Sequence, residues 1–333
     1  MGEAMESTRG KLIEILSNHP EEYLSGQKLS QQLNISRPAV WKHMKELEKD
    51  GYGIEASPRK GYKIITFPDK VSTNTLSWGL KTKWLGQDMI HKPSVTSTQV
   101  IAHQEAQDGA AHGTVIVADE QTKGRGRLNR SWHSHKGDGV WMSIILRPKF
   151  EPHKSPQITL LAATVLAEVF KKYCGISPQI KWPNDLLTNG KKLSGILTEL
   201  QAEQDQINYI VLGMGINVNH SVEQFPEEIM NQATSLKIET GENWEIHTLI
   251  QQILNTFEKR YQEFIEEGFR SVKLRWEAFG YRIGEHVAIT THQQEWNALI
   301  MGIEHDGALK VRDEEGKEHV LYSAEIKWRR GEE

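Results

Sequence analysis

The chain carries one cysteine, Cys174, among 333 residues. A disulfide framework is therefore excluded, and a thiolate zinc site has no second ligand. Cys174 closes an amphipathic segment and reads as a small apolar side chain. Long apolar runs are missing too. Stretches such as Val140 to Leu146 and Leu160 to Ala167 fall far short of the roughly 20 residues that a bilayer span needs. The opening residues show no basic region followed by an apolar one, so an untargeted cytoplasmic protein without membrane contact is expected. Charge of one sign is also lacking: 40 Lys plus Arg stand against 44 Asp plus Glu, a net of -4. That balance excludes a protein that coats nucleic acid by bulk positive charge. There is no internal repeat and no low-complexity segment. What remains is globular in composition, 38% hydrophobic and 25% charged, and at about 150 residues per domain the length predicts two or three domains.

Residues 1–66 stand apart. Leu12, Ile13, Ile15 and Leu16 share one helical face, a second helix opens at Ser25-Gly26-Gln27, and Asn34-Ile35-Ser36 ends it and caps a third. Pro38 is tolerated there because first-turn amides need no intrahelical acceptor. Val40, Met44 and Leu47 face inward, leaving Arg37, Trp41, Lys42, His43 and Lys45 outward. Two alternating runs, Tyr52/Ile54 and Tyr62/Ile64, flank Ser57-Pro58-Arg59-Lys60-Gly61, turn chemistry with two cations at its tip. The layout is a winged helix-turn-helix, the helix-turn-helix spanning about 25–47. Residues 25–66 hold eight Lys plus Arg against four Asp plus Glu, so DNA binding is expected, with Arg37, Lys42 and His43 toward the major groove and Arg59 and Lys60 on phosphates. Trp41 is expected to pack rather than to read bases.

Residues 67–85 read as a linker. Residues 86–281 alternate apolar strands with amphipathic helices near 156–174 and 245–266, the pattern of an α/β domain with a mixed sheet and helices packed against it. Residues 282–333 hold short strands between turns and fit a small SH3-like β-barrel. The fold class expected is α+β multidomain.

The densest chemical signal is Gln121-Thr122-Lys123-Gly124-Arg125-Gly126-Arg127-Leu128-Asn129-Arg130. A dinucleotide fingerprint fails, because Asn129 stands where the third glycine belongs. Two glycines still let the backbone close on a ligand with amides pointing inward, and the cations suit carboxylates and phosphates. Lys181-Trp182-Pro183-Asn184-Asp185 ends one strand and Lys192-Leu193-Ser194-Gly195-Ile196 enters another. Gly213-Met214-Gly215-Ile216-Asn217 permits close backbone approach, and Asn217 suits a ligand or a hydrated Mg²⁺. Ser97-Thr98-Gln99 precedes a helix, where an N-cap is the plain alternative. His133 and His135 have the spacing of a metal pair but no third ligand, so they are taken as loop residues and no dedicated metal site is expected.

In this order the fragments resemble one family over essentially the whole chain: the biotin-protein ligases, in the bifunctional form that also represses the biotin operon. The most specific element is Gly124-Arg125-Gly126-Arg127 between Gln121 and Trp132. The resemblance implies an enzyme that adenylates biotin with MgATP and hands it to one lysine of a biotin carboxyl carrier protein. It also implies that the adenylate-loaded homodimer binds operator DNA, biotin thereby being substrate and corepressor precursor. Carried over residue by residue, Ser97, Thr98 and Gln99 match the biotin-contacting turn, Gln99 standing where many members have Asn. Gln121, Arg125, Gly126 and Arg127 match the ligand loop, and Lys192 matches the lysine at the biotin carboxylate and adenylate phosphate. Lys123 departs from the small residue expected there, changing the loop's charge or pointing to solvent. Lys192 and Arg127 are the expected catalytic cations. Asn217 and Asp185 are candidates at the nucleotide and its Mg²⁺. No general base is assigned, Asp185 being the candidate the sequence offers, and Phe225 and the segment to Ala233-Thr234-Ser235 are candidates beside adenine. Residues 121–132, polar and glycine-rich, are expected to order on ligand binding. Two other readings stay open, a ligand-sensing repressor without catalysis and a related acyl ligase acting on lipoate.

Overall fold

The computed structural model describes residues 8–49, 51–68, 70–291 and 295–326. The outer ends of the first and last expected domains, 1–7 and 327–333, lie outside the described residues. The chain divides into two compact units, Met1–Lys81 and Thr82–Glu333, and the division falls within the stretch read as a linker.

In the first unit, α1 (Thr8–Ser17), α2 (Gly26–Leu33) and α3 (Arg37–Lys49) precede a hairpin of β1 (Gly53–Ser57) and β2 (Gly61–Thr66). Leu12, Leu16, Leu29, Val40, Met44, Leu47 and Ile64 form its core, at roughly 1.5–3 kcal/mol for each large apolar side chain removed from water. Ser25 caps α2 by accepting from the Lys28 amide at 3.1 Å, and Asn34 ends it in the left-handed region at φ 52°. Ser36 accepts from the Ala39 amide at 3.3 Å, holding the start of α3. Gly61 is obligatory: at φ 119° its absent Cβ would sit 2.1 Å from the Leu24 carbonyl oxygen, where Leu24 and Tyr62 exchange two backbone hydrogen bonds of 2.9 Å. A short α4 (Thr73–Ser77) follows, capped by Ser72, so part of the expected linker is helical.

The second unit is built on a seven-stranded mixed sheet. Its strands are β3 (Met89–Lys92), β4 (Val115–Ala118), β7 (Gly139–Leu146), β8 (Gln179–Lys181), β9 (Asp185–Thr188), β10 (Lys191–Glu203) and β11 (Gln206–Asn217), in the order β3-β4-β7-β11-β10-β9-β8. Only β3 and β4 run parallel; the other neighbours are antiparallel. A separate hairpin pairs β5 (Gln121–Arg125) with β6 (Ser131–Ser134). The helices are α5 (Thr98–Gln107), α6 (Pro156–Lys172), α7 (Leu236–Thr240), α8 (Ile246–Glu267) and α9 (Arg270–Phe279). Nearly every apolar side chain of α6 is buried, because the helix is packed against the sheet and against α8 and α9. Glu258 of α8 accepts the backbone N–H groups of Lys83, Trp84 and Leu85 at 2.7–2.9 Å, fixing the chain as it enters this unit.

The C-terminal strands β12 (His286–Thr290), β13 (Glu295–Ile303), β14 (Leu309–Asp313), β15 (Glu318–Leu321) and β16 (Glu325–Ile326) form one antiparallel sheet in the order β15-β14-β13-β12-β16. The described residues give an open five-stranded sheet where a closed barrel was expected. It is tied to the large sheet by Trp182, whose indole N–H donates to the Gly307 carbonyl at 3.1 Å.

Candidate active site

A cavity of about 520 Å³ is lined by residues drawn from the stretches 97–99, 121–133, 181–185, 192–197 and 213–217, together with Phe225, Ala233 and Glu325. Ser97, Thr98, Gln99, Gln121, Arg125, Gly126, Arg127, Asp185, Lys192 and Asn217 all line it. Strand pairing explains the convergence. Gly195 of β10 faces Gly215 of β11, and their missing side chains leave a bare patch of sheet on which the Trp132 indole rests; a Cβ at Gly215 would lie 2.5 Å from Trp132 Nε1.

One group of lining residues is polar and neutral. Ser97 caps α5, accepting from the Gln99 amide at 3.3 Å, so the plain N-cap role holds while the residue also faces the cavity. Gln121 Oε1 accepts from the Thr98 amide at 2.8 Å and its Nε2 donates to Ser134 Oγ at 2.8 Å. Gln99 is buried; its Nε2 donates to the Leu197 and Val211 carbonyls at 3.3 and 3.2 Å, and its Oε1 accepts from Ser143 Oγ at 3.0 Å. The Gln99 side chain borders the cavity while its amide is hydrogen-bonded to β10, β11 and β7.

The other group is cationic. Arg127 donates to Asn184 Oδ1 at 2.9 Å, and burial lowers its guanidinium from the usual value, with Asp185 opposing. Lys192 Nζ lies 2.8 Å from Asp185 Oδ1 and 5.4 Å from the centre of the Trp132 ring. Lys181 is buried, and desolvation pushes its ammonium down to about 8 despite Asp185 nearby. Asn217 is buried and donates to the Thr234 carbonyl at 3.0 Å, while the Thr234 N–H donates to the Lys192 carbonyl at 2.9 Å and the Lys192 N–H to the Gln232 carbonyl at 2.7 Å. Residues 233–235 are thereby laid beside the lysine. Phe225 stacks on His220, ring centres 5.1 Å apart and 15° from parallel.

The glycine-rich stretch is a β-hairpin rather than an irregular loop. Gly124 is required at its pairing with Trp132, since a Cβ would come within 2.3 Å of the Trp132 carbonyl oxygen. The inward-pointing amides expected of both glycines are corrected at Gly126, whose N–H closes the hairpin on the Arg130 carbonyl at 2.8 Å. Lys123 is exposed, and Arg130 is paired with Glu325 at 2.8 Å, both lining the cavity. Trp132, Asn184 and Ser143 were missed as site residues. The first two sit inside quoted motifs, whereas Ser143 lies in an apolar strand with nothing to single it out. Cys174 is buried, its thiol pushed up to about 12, as befits an apolar side chain. Among the described residues no group of three His, Cys, Asp or Glu is arranged to hold a metal, His133 and His135 included.

In the first unit Arg37, Lys42, Arg59 and Lys60 are exposed, as is Trp41. That exposure contradicts the packing expected of Trp41, whose position on α3 turns away from the Val40, Met44 and Leu47 face. His43 departs from the DNA-facing set in a different way. Its ring is half-buried with Nδ1 3.4 Å from Glu46, which is itself paired with Arg9 at 2.9 Å.

Three family models match successive parts of the chain: an HTH domain over residues 8–63, the biotin/lipoate A/B protein ligase family over 92–217, and the biotin protein ligase C terminal domain over 283–328. The bifunctional ligase/repressor BirA of Bacillus subtilis (strain 168) is 46% identical over 323 residues, 97% of this chain and 99% of that protein. The bifunctional ligase/repressor BirA of Escherichia coli (strain K12) is 29% identical over 91% of this chain and 92% of its own length. The biotin protein ligase from Aquifex aeolicus in complex with biotin and ATP superposes with a TM-score of 0.63 and 31% identity, covering 74% of this chain and all of that one. No helix among the described residues is long and apolar enough to cross a membrane.

Proposed function

The chain belongs to the biotin protein ligases, in their bifunctional ligase/repressor form, and from that premise we propose how its own residues divide the work. It is an ATP-dependent biotin ligase with biotin and ATP as substrates, and its helix-turn-helix domain makes it a DNA-binding repressor. The observation that carries the mechanism is the meeting, in one cavity, of a neutral hydrogen-bonding group around Thr98 and Gln121 with the cations Arg127, Lys181 and Lys192.

Biotin's ring system meets Ser97, Thr98 and Gln121, and its carboxylate is directed at the cations. The carboxylate oxygen attacks the α-phosphorus of ATP and pyrophosphate leaves, giving biotinyl-5′-AMP. Lys192 and Arg127 stabilise the charge of the pentavalent transition state more than that of the separated anions, and Arg125 and the Gly126 backbone wall the same space. Phe225 and Ala233 border adenine, with Asn217 holding the 233–235 segment in place. Of the carboxylates lining the cavity, Asp185 pairs with Lys192 and Glu325 with Arg130; a Mg²⁺ brought in with ATP would offset phosphate charge there, with Asp185 and Asn217 the residues that would stand beside it. An amine from one lysine of the biotin carboxyl carrier protein then attacks the acyl carbon, AMP leaves, and Asp185 is placed to take the amine proton.

Residues 1–66, 86–281 and 282–333 serve as DNA-binding, catalytic and C-terminal domains, with 67–85 joining the first two. The strand order of the C-terminal sheet suits closure into an SH3-like barrel. Residues 121–132 tighten on ligand, and the loaded chain acts as a homodimer on operator DNA, with Arg37 and Lys42 in the major groove and Arg59 and Lys60 on phosphates. A cytoplasmic setting fits a single buried thiol. The test is biotin-dependent exchange of pyrophosphate into ATP, which reports adenylation without a carrier protein.

A further inference from the structure

Four oxygens run in a row into the ligand cavity: Gln99 Oε1, Ser143 Oγ, Thr98 Oγ1 and Gln121 Oε1, spaced 3.0, 2.8 and 3.1 Å apart. The two end atoms are fixed as amide oxygens by obligate partners. Gln99 Nε2 faces two carbonyls, Leu197 and Val211, which only accept, so its oxygen must face Ser143. Gln121 Oε1 accepts the Thr98 backbone N–H at 2.8 Å, so its nitrogen faces Ser134. Neither end carries a hydrogen. The row therefore has three oxygen–oxygen gaps to bridge and only two hydroxyl hydrogens, those of Ser143 and Thr98.

We propose that Gln99 is a positioning residue for substrate choice: by taking the Ser143 hydrogen it leaves the row one hydrogen short, so the site selects a ligand ring that brings its own N–H. With Ser143 donating to Gln99, the Thr98 hydrogen turns to the shorter gap at Ser143, and Thr98 Oγ1 and Gln121 Oε1 face each other as two acceptors. A cyclic urea supplies the missing donor. A cyclic disulfide such as that of lipoate supplies none and leaves the open lone pairs of Thr98 Oγ1 and of Gln121 Oε1, which already accepts the Thr98 N–H, facing each other with no hydrogen between them, which costs it affinity. Gln99 does this without touching the ligand, which is why an amide one methylene longer than Asn is suited to the position. Gly213 makes the room, since a Cβ there would stand 2.5 Å from Gln99 Oε1.

The inference rests on the biotin ligase reading and is tested beside it. Removing Gln99 Oε1 leaves two gaps for two hydrogens, and removing Ser143 Oγ leaves one for one, so Gln99→Met and Ser143→Ala each saturate the row. Gly213→Ala displaces the Gln99 amide without deleting it and guards against a packing defect in the first variant. In pyrophosphate exchange by the full-length protein, each variant is expected to raise KM for biotin by roughly tenfold with kcat held within about twofold. The ratio of biotin to lipoic acid affinity, measured by titration calorimetry, is expected to fall by the same factor. A KM that does not move, or biotin and lipoic acid affinities that fall in parallel, overturns the proposal and leaves Gln99 as a strand clamp. A wild type that exchanges pyrophosphate without needing biotin overturns the underlying reading, and the inference with it.

Discussion

Lys192 Nζ and Asp185 Oδ1 stand 2.8 Å apart on neighbouring strands, β10 and β9, which pair antiparallel. In the proposed mechanism the cation that meets phosphate thus waits beside a carboxylate until the substrate anion arrives. The pairing separates two roles. Asp185→Asn should leave pyrophosphate exchange within about tenfold of wild type, because Lys192 keeps its charge, while transfer from preformed adenylate to the carrier lysine drops by about 10². Single-turnover transfer checks this, and equal losses in both half-reactions would remove Asp185 as the base.

Lys181 introduces a pH dependence of its own. Its ammonium in the folded protein is pushed down to about 8 from the ordinary 10.5 by burial. Below pH 8 it is charged and adds to the field that holds ATP; as pH rises through 8 it loses that charge. KM for ATP should therefore climb above pH 8 in wild type, stay flat across that range in Lys181→Met, and begin its climb at higher pH in Lys181→Arg. The stability consequence has the opposite sense. The unfolded chain holds this proton up to about 10.5 and the folded chain gives it up near 8, so the Lys181 contribution to stability improves with pH between those values.

In the DNA-binding unit, the exposed cations and His43 should behave differently. Arg59→Ala and Lys60→Ala each free one phosphate, so each should reduce the slope of log affinity against log salt by about 0.9. Arg37→Ala and Lys42→Ala should weaken discrimination between operator and random DNA by about 1–3 kcal/mol for each base the side chain reads. His43→Ala should lower the melting temperature of the unit and leave the salt slope alone, because the ring belongs to the Glu46–Arg9 cluster. Fluorescence anisotropy across a salt series separates the three outcomes.

Much of this was legible in the sequence, for identifiable reasons. The inward helix face of Val40, Met44 and Leu47 and the helix starts at Ser25 and Ser36 follow local periodicity and capping, and the structure keeps them. The resemblance pointed to cavity residues that no periodicity singles out, and the structure brings them together from five stretches of chain. What escaped notice depends on partners distant in sequence. The Gln99 amide is spent on Leu197 and Val211, about a hundred residues away, and Ser143 looks like one more residue of a buried strand. His43 and Lys42 are neighbours on one helix, and only the Arg9–Glu46 pair on α1 and α3 tells them apart.

Glu258 offers a purely structural check. It satisfies three backbone donors at residues 83–85, and Glu258→Ala leaves them to water or unpaired, at a cost of about 1–3 kcal/mol. Calorimetry should show a melting temperature lower by several degrees, and limited proteolysis should cut faster near residues 80–86 than in wild type. Unchanged proteolysis would mean that the entry segment is held by Trp84, which stacks on His112.

The central claim is that Lys192 and its cationic neighbours drive attack of a biotin carboxylate on ATP. Pyrophosphate exchange into ATP, run on wild type and Lys192→Ala at saturating biotin and MgATP, tests it most directly. The expected result is exchange that requires biotin in the wild type and falls by at least about 10² in the variant. Biotin binding without any exchange in the wild type, or exchange that survives intact in Lys192→Ala, would contradict the account.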